Sequence, residues 1–203
     1  KSAVDEVSKW LEEMIKAAGE AATKGGDAGG GADKIGDAGD KGAVADASSV
    51  KEIANGIKGI VDAAGKAFGK EGSALKDVKT VAAENEANKD AGKLFAGNAG
   101  NGAADDIAKA AAAVTAVSGE QILKAIVDAA GDKANQDGKK AADAKNPIAA
   151  AIGAADAGAA AAFNENDMKK SDKIAAAIVL RGVAKDGKFA AADADANNSK
   201  ASV

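Results

Sequence analysis

The chain of 203 residues contains no cysteine and no histidine. These absences exclude disulfides, thiolate nucleophiles and the usual zinc sites, and they remove the side chain best suited to proton transfer near neutral pH. Tyrosine is absent as well, and tryptophan and proline each occur once. The composition therefore argues against an enzyme, and we expect no catalytic residue, no metal site, no cofactor and no small-molecule substrate.

Large apolar side chains are also scarce, because alanine supplies more than half of the 46% of residues that are hydrophobic. Alanine has the highest helix propensity, and its small side chain lets helices pack closely. The larger apolar residues recur at three- and four-residue spacings and do not alternate as they do in strands. We therefore predict an all-α fold: one domain over residues 1–203, built as an irregular bundle of helices with long surface loops rich in Gly, Ala and Asp.

The net charge of −4 at pH 7 gives no overall attraction to nucleic acid or to an anionic membrane. No stretch approaches the roughly 20 apolar residues of a membrane span. The chain begins with Lys1 instead of Met, and no signal segment follows. We expect a piece of a longer protein whose membrane anchor lies outside this chain.

Apolar stripes and capping residues predict six helices. Two starts are explicit in the sequence: Ser118 and Gln121 fit a capping box, and Asn146 before Pro147 is a cap followed by a first-turn proline. The six helices are expected at about 2–22, from a cap at Ser49 to Gly65 or Gly69, from Asp105, from Ser118, from Asn146 to Gly153, and from Ser171 to about Lys185. Shorter pieces are predicted at 73–81 and 89–95, an exposed loop at 25–49 and a frayed tail at 191–203.

The last helix differs from the others in its pattern. At about 100° per residue, Ile174, Ile178, Val179 and Leu180 point in several directions, which is typical of a helix surrounded by others. We therefore place this helix at the centre of the bundle. We expect these four residues to be buried and Lys169, Lys170 and Lys188 to be solvated.

Three motifs partly match known binding or catalytic sites but do not support such a site. The Gly-Lys pairs are never followed by Ser or Thr, as a phosphate loop requires. Asp193, Asp195 and Asn197 begin like a calcium loop, but Asn198 stands at the required glycine and the chain ends too early. Ser73 and Lys76 have the spacing of a serine-lysine nucleophile pair, yet a capping role explains Ser73.

One basic cluster suggests contact with polyanions such as nucleic acid or sulfated glycans. A stacking platform for single strands is missing, because Phe189 is the only aromatic residue nearby. A solvated charged face is the favoured interpretation, nucleic acid is disfavoured as a partner, and an adhesin or polyanion-binding module over 169–188 stays open as the alternative function. The cluster consists of Lys169, Lys170, Lys173, Arg181, Lys185 and Lys188.

Four stretches, 49–64, 116–130, 146–153 and 168–190, occur in this order between Gly/Ala/Asp-rich segments. Together they resemble the VlsE family of variable Vmp-like surface lipoproteins of Lyme-disease spirochaetes. The resemblance covers essentially the whole chain, and residues 168–190 (MKKSDKIAAAIVLRGVAKDGKFA) look like the sixth invariable region of that family. The two ends of the chain resemble the borders of one variable cassette.

The resemblance implies a surface antigen, lipid-anchored to the outer membrane, whose exposed loops are rewritten by recombination so that host antibodies lose their target. The resemblance is also compatible with a weak homodimer. It also implies that the invariable region is strongly antigenic, although its helix is predicted to be central. The residues concerned are Met168, Lys169, Lys170, Ile174, Ile178, Leu180, Arg181, Lys185 and Lys188.

Overall fold

The computed structural model describes residues 3–26, 35–67, 69, 73–97, 102–155 and 160–191. Within them the all-α prediction is confirmed, with one short pair of strands added. The α-helices are α1 (Ala3–Ala22), α2 (Ala47–Ala67), α3 (Ala104–Thr115), α4 (Gly119–Gly131), α5 (Pro147–Ile152) and α6 (Ser171–Val183), and the strands are β1 (Asp37–Gly39) and β2 (Lys188–Ala190). Short 3-10 helices lie at Lys89–Phe95, Lys133–Asn135, Ala141–Asp143 and Asn166–Lys169.

The explicit helix starts are found where the sequence predicts them. At α4, the Gln121 amide donates to Ser118 Oγ (3.3 Å) and the Ser118 amide donates to Gln121 Oε1 (3.0 Å), which is a complete capping box. At α5, the Ala149 amide donates to Asn146 Oδ1 (3.0 Å), and the helix stops at Gly153, whose φ is 79°. A positive φ favours glycine at this helix end.

Two predicted caps have other roles. Helix α2 begins at Ala47, so Ser49 lies inside its first turn, and Asp46 caps the helix by accepting from the Ser49 amide (2.6 Å). The Ser49 hydroxyl instead donates to the Lys24 carbonyl and accepts from the Lys185 amide (3.0 Å), so it ties the end of α1 to the end of α6. Ser73 stabilises a turn in which the Leu75 amide donates to its Oγ (3.1 Å), and no helix forms at 73–81.

The prediction of an exposed loop at 25–49 is wrong for its described part. Strand β1 runs parallel to β2, with Ala38 opposite Phe189. The chain then stays against the core, because Gly42 and Ala45 are buried. This segment is held by backbone hydrogen bonds and not by large side chains. The apolar pattern of the sequence therefore does not indicate that the segment packs against the core. Residues 27–34 lie outside the described part of the chain, as does the predicted frayed tail except for Ala191, which is buried.

Helix α6 lies between two hydrophobic clusters, and this confirms its central position. Ile174 and Ala177 belong to a cluster that includes Phe95, Phe163, Phe189, Met168 and Ile107. Ala176 and Leu180 belong to a second cluster that includes Val50, Ile53, Ile126, Ile148 and Ile152. The helix accordingly packs against α3, α4 and α5.

Helix α1 packs against α2 and contains no buried residue. The contact is close, since a Cβ added to Gly56 would lie 2.5 Å from the Ala21 Cβ. Four large residues of its apolar stripe face solvent: Val4, Val7, Leu11 and Ile15 are between 47% and 72% exposed. The stripe therefore predicts the helix correctly but does not predict how much of it is buried.

In the described residues, no individual helix has both the length and the apolar character needed to cross a membrane. Helices α3 and α4 meet these criteria only when taken as a pair, and they are bent by 98° relative to each other.

Candidate functional site

The C-terminal segment (residues 168–190), which carries the predicted site residues, passes through the middle of the structure. Its side chains range from fully buried to exposed. Met168, Ile174, Leu180 and Arg181 are 0% exposed, Ile178, Lys169, Lys170 and Lys188 are half-buried, and Lys185 is exposed. The prediction that Ile174, Ile178, Val179 and Leu180 are all buried is wrong at Val179, which is 37% exposed, and Ile178 is only half-buried.

Arg181 is a buried cation held by main-chain oxygens. Its Nη1 donates to the Ala151 carbonyl (3.0 Å), its Nε donates to the Lys188 carbonyl (3.1 Å) and its Nη2 donates to the Ala43 carbonyl. The guanidinium carbon also lies 5.5 Å from the ring centroid of Phe95, a favourable cation–π distance. The hypothesis of a solvated basic face is therefore wrong at Arg181, which fastens α6 to α5, to β2 and to the chain before α2.

The charge state of Arg181 follows from this setting. Burial lowers its pKa to about 10, so the side chain is still a cation at neutral pH. Within the described residues it forms no ion pair with a carboxylate. The carbonyl dipoles and the Phe95 ring therefore compensate the positive charge.

Lys169 is also less exposed than predicted. Its Nζ lies 2.7 Å from Glu86 Oε1, and its side chain is only 13% exposed. Glu86 bonds Lys89 as well (2.9 Å). The hydrogen bond from Lys169, followed by that from Lys89, lowers the pKa of Glu86 to about 2.

The remaining lysines of the basic cluster do not form a continuous patch. Lys170 pairs with Asp167 (2.7 Å), and this hydrogen bond raises the pKa of Lys170. Lys188 lies 3.8 Å from Asp37. In the described part of the chain, Lys173 and Lys185 are left without an ion pair. Two separated cations are a weak basis for polyanion binding.

Asp172, in the first turn of α6, is fully buried although its side chain is polar. Its carboxylate accepts from the Val81 amide (3.2 Å) and from the Lys173 amide (2.9 Å). A carboxylate in the first turn is also favoured by the helix dipole. No sequence signal indicates Val81 as its partner, because the two residues are 91 positions apart.

A cleft of about 260 Å³ lies beside this helix end, between Thr80, Val81, Lys145, Lys170 and Lys173. Groups of three or more potential metal-binding side chains are not found among the described residues. The calcium-like residues Asp193, Asp195, Asn197 and Asn198 lie outside the described part of the chain.

Comparison with known proteins identifies the family. Residues 1–203 match the family model described as Borrelia lipoprotein. Variable large protein 4 of Borrelia hermsii is 41% identical over 154 residues, which is 72% of this chain and 40% of that protein. Variable large protein 25 of the same species is 38% identical over 172 residues, 80% of this chain and 44% of that protein. The chain spans about two fifths of the length of these curated relatives.

A solved structure is similar over nearly the whole chain. The crystal structure of the Lyme disease variable surface antigen VlsE of Borrelia burgdorferi has a TM-score of 0.81 and 48% sequence identity. The match covers 98% of this chain and 64% of that one. At this identity the likeness extends from fold to sequence, and the chain belongs to the Borrelia lipoprotein family.

Proposed function

We propose that the chain is part of an antigenically variable outer-surface protein that mediates immune evasion. In this proposal, recombined loops are displayed on a constant helical frame. The similar proteins support it, because one is named a variable surface antigen and others are named variable large proteins. Residues 1–203 are the variable-cassette domain in this proposal.

The proposal rests on the contacts that hold the helices of the frame together. Arg181 and the two hydrophobic clusters join α2, α4, α5 and α6 through alanine, aliphatic side chains and main-chain carbonyls. Connecting residues such as Lys133, Asp137 and Lys139 are exposed. Substitutions at exposed loop positions cost little stability, and changes in loop length cost little entropy. The surface can therefore change while the frame stays folded.

Localisation and partners belong to the same proposal. The protein lies at the cell surface, held to the outer membrane by a lipid, and its partners are host antibodies. Residues 168–190 are the invariable antigenic segment. Because Met168, Ile174 and Leu180 are fully buried, antibodies that recognise those side chains bind shed, unfolded or partly opened protein.

The test is to sequence this chain in successive isolates of one infecting lineage. Serum from the time of an early isolate is then measured against the early and late chains. We expect substitutions at exposed connecting residues, none at Arg181, unchanged melting temperatures and weaker serum binding to the late chain. Substitutions spread evenly over buried and exposed positions, or equal serum binding to both chains, would contradict the proposal.

A further inference from the structure

The segment at 73–87, which we call the strap, crosses the N-terminal end of α6 before the 3-10 helix Lys89–Phe95. It is irregular, and none of its residues is buried. The next residue, Asn88, is 5% exposed and marks the point where the chain enters the core. Its large apolar side chains, Leu75, Val78 and Val81, are only half-buried, so the strap contributes a small share of the apolar burial that stabilises the frame.

Polar contacts hold the strap in place. The Val81 amide donates to the buried Asp172 carboxylate, and the Asn85 amide donates to the Lys169 carbonyl (3.0 Å). Glu86 then pairs with the Lys169 side chain. A further bond joins Gln121 Nε2 in α4 to the Lys79 carbonyl (3.0 Å). Each such contact exchanges for a bond to water when the strap lifts, so its net contribution is small.

The packing between the strap and α6 is incomplete. Thr80 and Val81 on one side and Lys170 and Lys173 on the other line the cleft of about 260 Å³. The lining of this cleft mixes charged side chains such as Asp128 with Ala129 of α4, so the strap meets no continuous apolar surface here. A gap of this size means that lifting the strap breaks few dispersion contacts.

Asp172 gives a reason for the strap to lift. A buried carboxylate loses hydration, and this cost is offset by the two amides that it accepts from, by the helix dipole and by the nearby charge of Lys170. Lifting the strap removes the Val81 amide and returns that side of the carboxylate to water. Ile174 and Leu180, by contrast, lie in the two hydrophobic clusters and gain nothing from hydration.

We propose that the strap is a cover that opens as a unit while the helical frame stays folded. The ion pair between Glu86 and Lys169 favours the closed position. Opening exposes Asp172 in the first turn of α6, and Lys169 just before that helix, without disturbing the centre of the helix. Local opening of this kind requires less free energy than global unfolding.

Residue-resolved amide hydrogen exchange on the 203-residue chain tests the first half of the proposal. The Val81 and Asn85 amides are informative because both are hydrogen-bonded in the closed strap. We expect them to exchange at least about a hundredfold faster than the Ile178 amide in α6, after correction for intrinsic rates. Equal protection of the three amides would overturn the proposal, since the strap would then open only when the whole chain unfolds.

Glu86→Lys tests the second half by replacing the ion pair with repulsion from Lys169 and Lys89. We expect exchange at Val81 and Asn85 to become about fivefold faster, which matches the upper range for an exposed pair, with no change at Ile178. The control is Ala83→Lys, because Ala83 is exposed, belongs to the strap and carries no charge of its own. Equal acceleration in the two variants, or faster exchange at Ile178 together with the strap, would overturn the proposal.

Discussion

The guanidinium of Arg181 in α6 donates to the carbonyl of Ala151 in α5 at 3.0 Å, and both residues are 0% exposed. The same side chain reaches the carbonyls of Ala43 and Lys188. Burying a cation is costly unless its donors are bonded. In return, one residue fixes the positions of three segments: α5, β2 and the chain before α2.

The first prediction concerns the hydrogen bonds that Arg181 donates. Arg181→Met keeps an unbranched side chain but removes the guanidinium donor from the carbonyls of Ala151, Ala43 and Lys188. The Lys188 carbonyl still accepts from the Ala43 amide (3.1 Å), so the main loss falls on Ala151, which is fully buried, and on Ala43. We expect the free energy of unfolding, measured in urea, to fall by about 2–4 kcal/mol. Lys185→Met is the control, because Lys185 is exposed, and it should change stability by less than about 0.5 kcal/mol. Equal unfolding midpoints for the two variants would show that Arg181 does not hold the frame.

The second prediction compares two aliphatic residues of α6. Ile174→Ala should lower the free energy of unfolding by about 2–5 kcal/mol, because it leaves a cavity in a fully buried site. Val179 is 37% exposed, so Val179→Ala should cost less than about 1 kcal/mol. Thermal or urea denaturation measures both. A larger loss at Val179 would mean that another element covers that side of the helix.

The sequence predicts the helices and the central position of α6 because these depend on local patterns. The capping residues Ser118 and Asn146 act on amides three positions away, so they can be identified without any tertiary knowledge. The burial of Arg181 also has a local signal that the sequence argument missed. It lies seven residues after Ile174 and therefore on the same side of the helix.

Other features depend on contacts between distant residues and leave no such signal. Strand β1 is three residues long, contains no large apolar side chain and pairs with a strand about 150 positions later. Asp172 and Val81 are joined through a backbone amide, which every residue except proline has. Patterns of side chains cannot reveal contacts that the backbone makes.

The third prediction uses two glycines in neighbouring helices. Alanine has a higher helix propensity than glycine by about 1 kcal/mol. A Cβ at Gly19 in α1 would meet no atom within 4 Å, so Gly19→Ala should stabilise the chain by up to about that amount. At Gly56 in α2 the Cβ would lie 2.5 Å from the Ala21 Cβ and 2.9 Å from the Ala17 carbonyl.

Gly56→Ala should therefore destabilise the chain by about 1–3 kcal/mol, because overpacking between α1 and α2 outweighs the gain in propensity. The test is whether the two substitutions change the melting temperature in opposite directions. A stabilising Gly56→Ala would show that α1 can shift on α2 without loss.

The last prediction concerns the ionisation of Glu86. Its folded pKa is about 2, below the ordinary value of 4.5, because Lys169 and then Lys89 donate hydrogen bonds to the carboxylate. For an acid with a lowered pKa, the stabilisation is fully present above the unfolded value. It is lost as the pH falls from about 4.5 through about 2. A titration of the Glu86 carboxyl carbon by NMR at low salt should therefore give a midpoint near the lower value.

Two lysine variants separate the cause from general charge effects. Lys169→Met should raise the pKa of Glu86 towards 4.5, because it removes the larger of the two hydrogen bonds. Lys173→Met removes the same charge from α6, but Lys173 forms no ion pair in the described part of the chain, so the Glu86 midpoint should stay near 2. Added salt should raise the midpoint in the wild-type chain, since Glu86 is exposed and its pairs are screened. A wild-type midpoint near the ordinary value would show that Glu86 and Lys169 are separated in solution and that this end of the strap is already open.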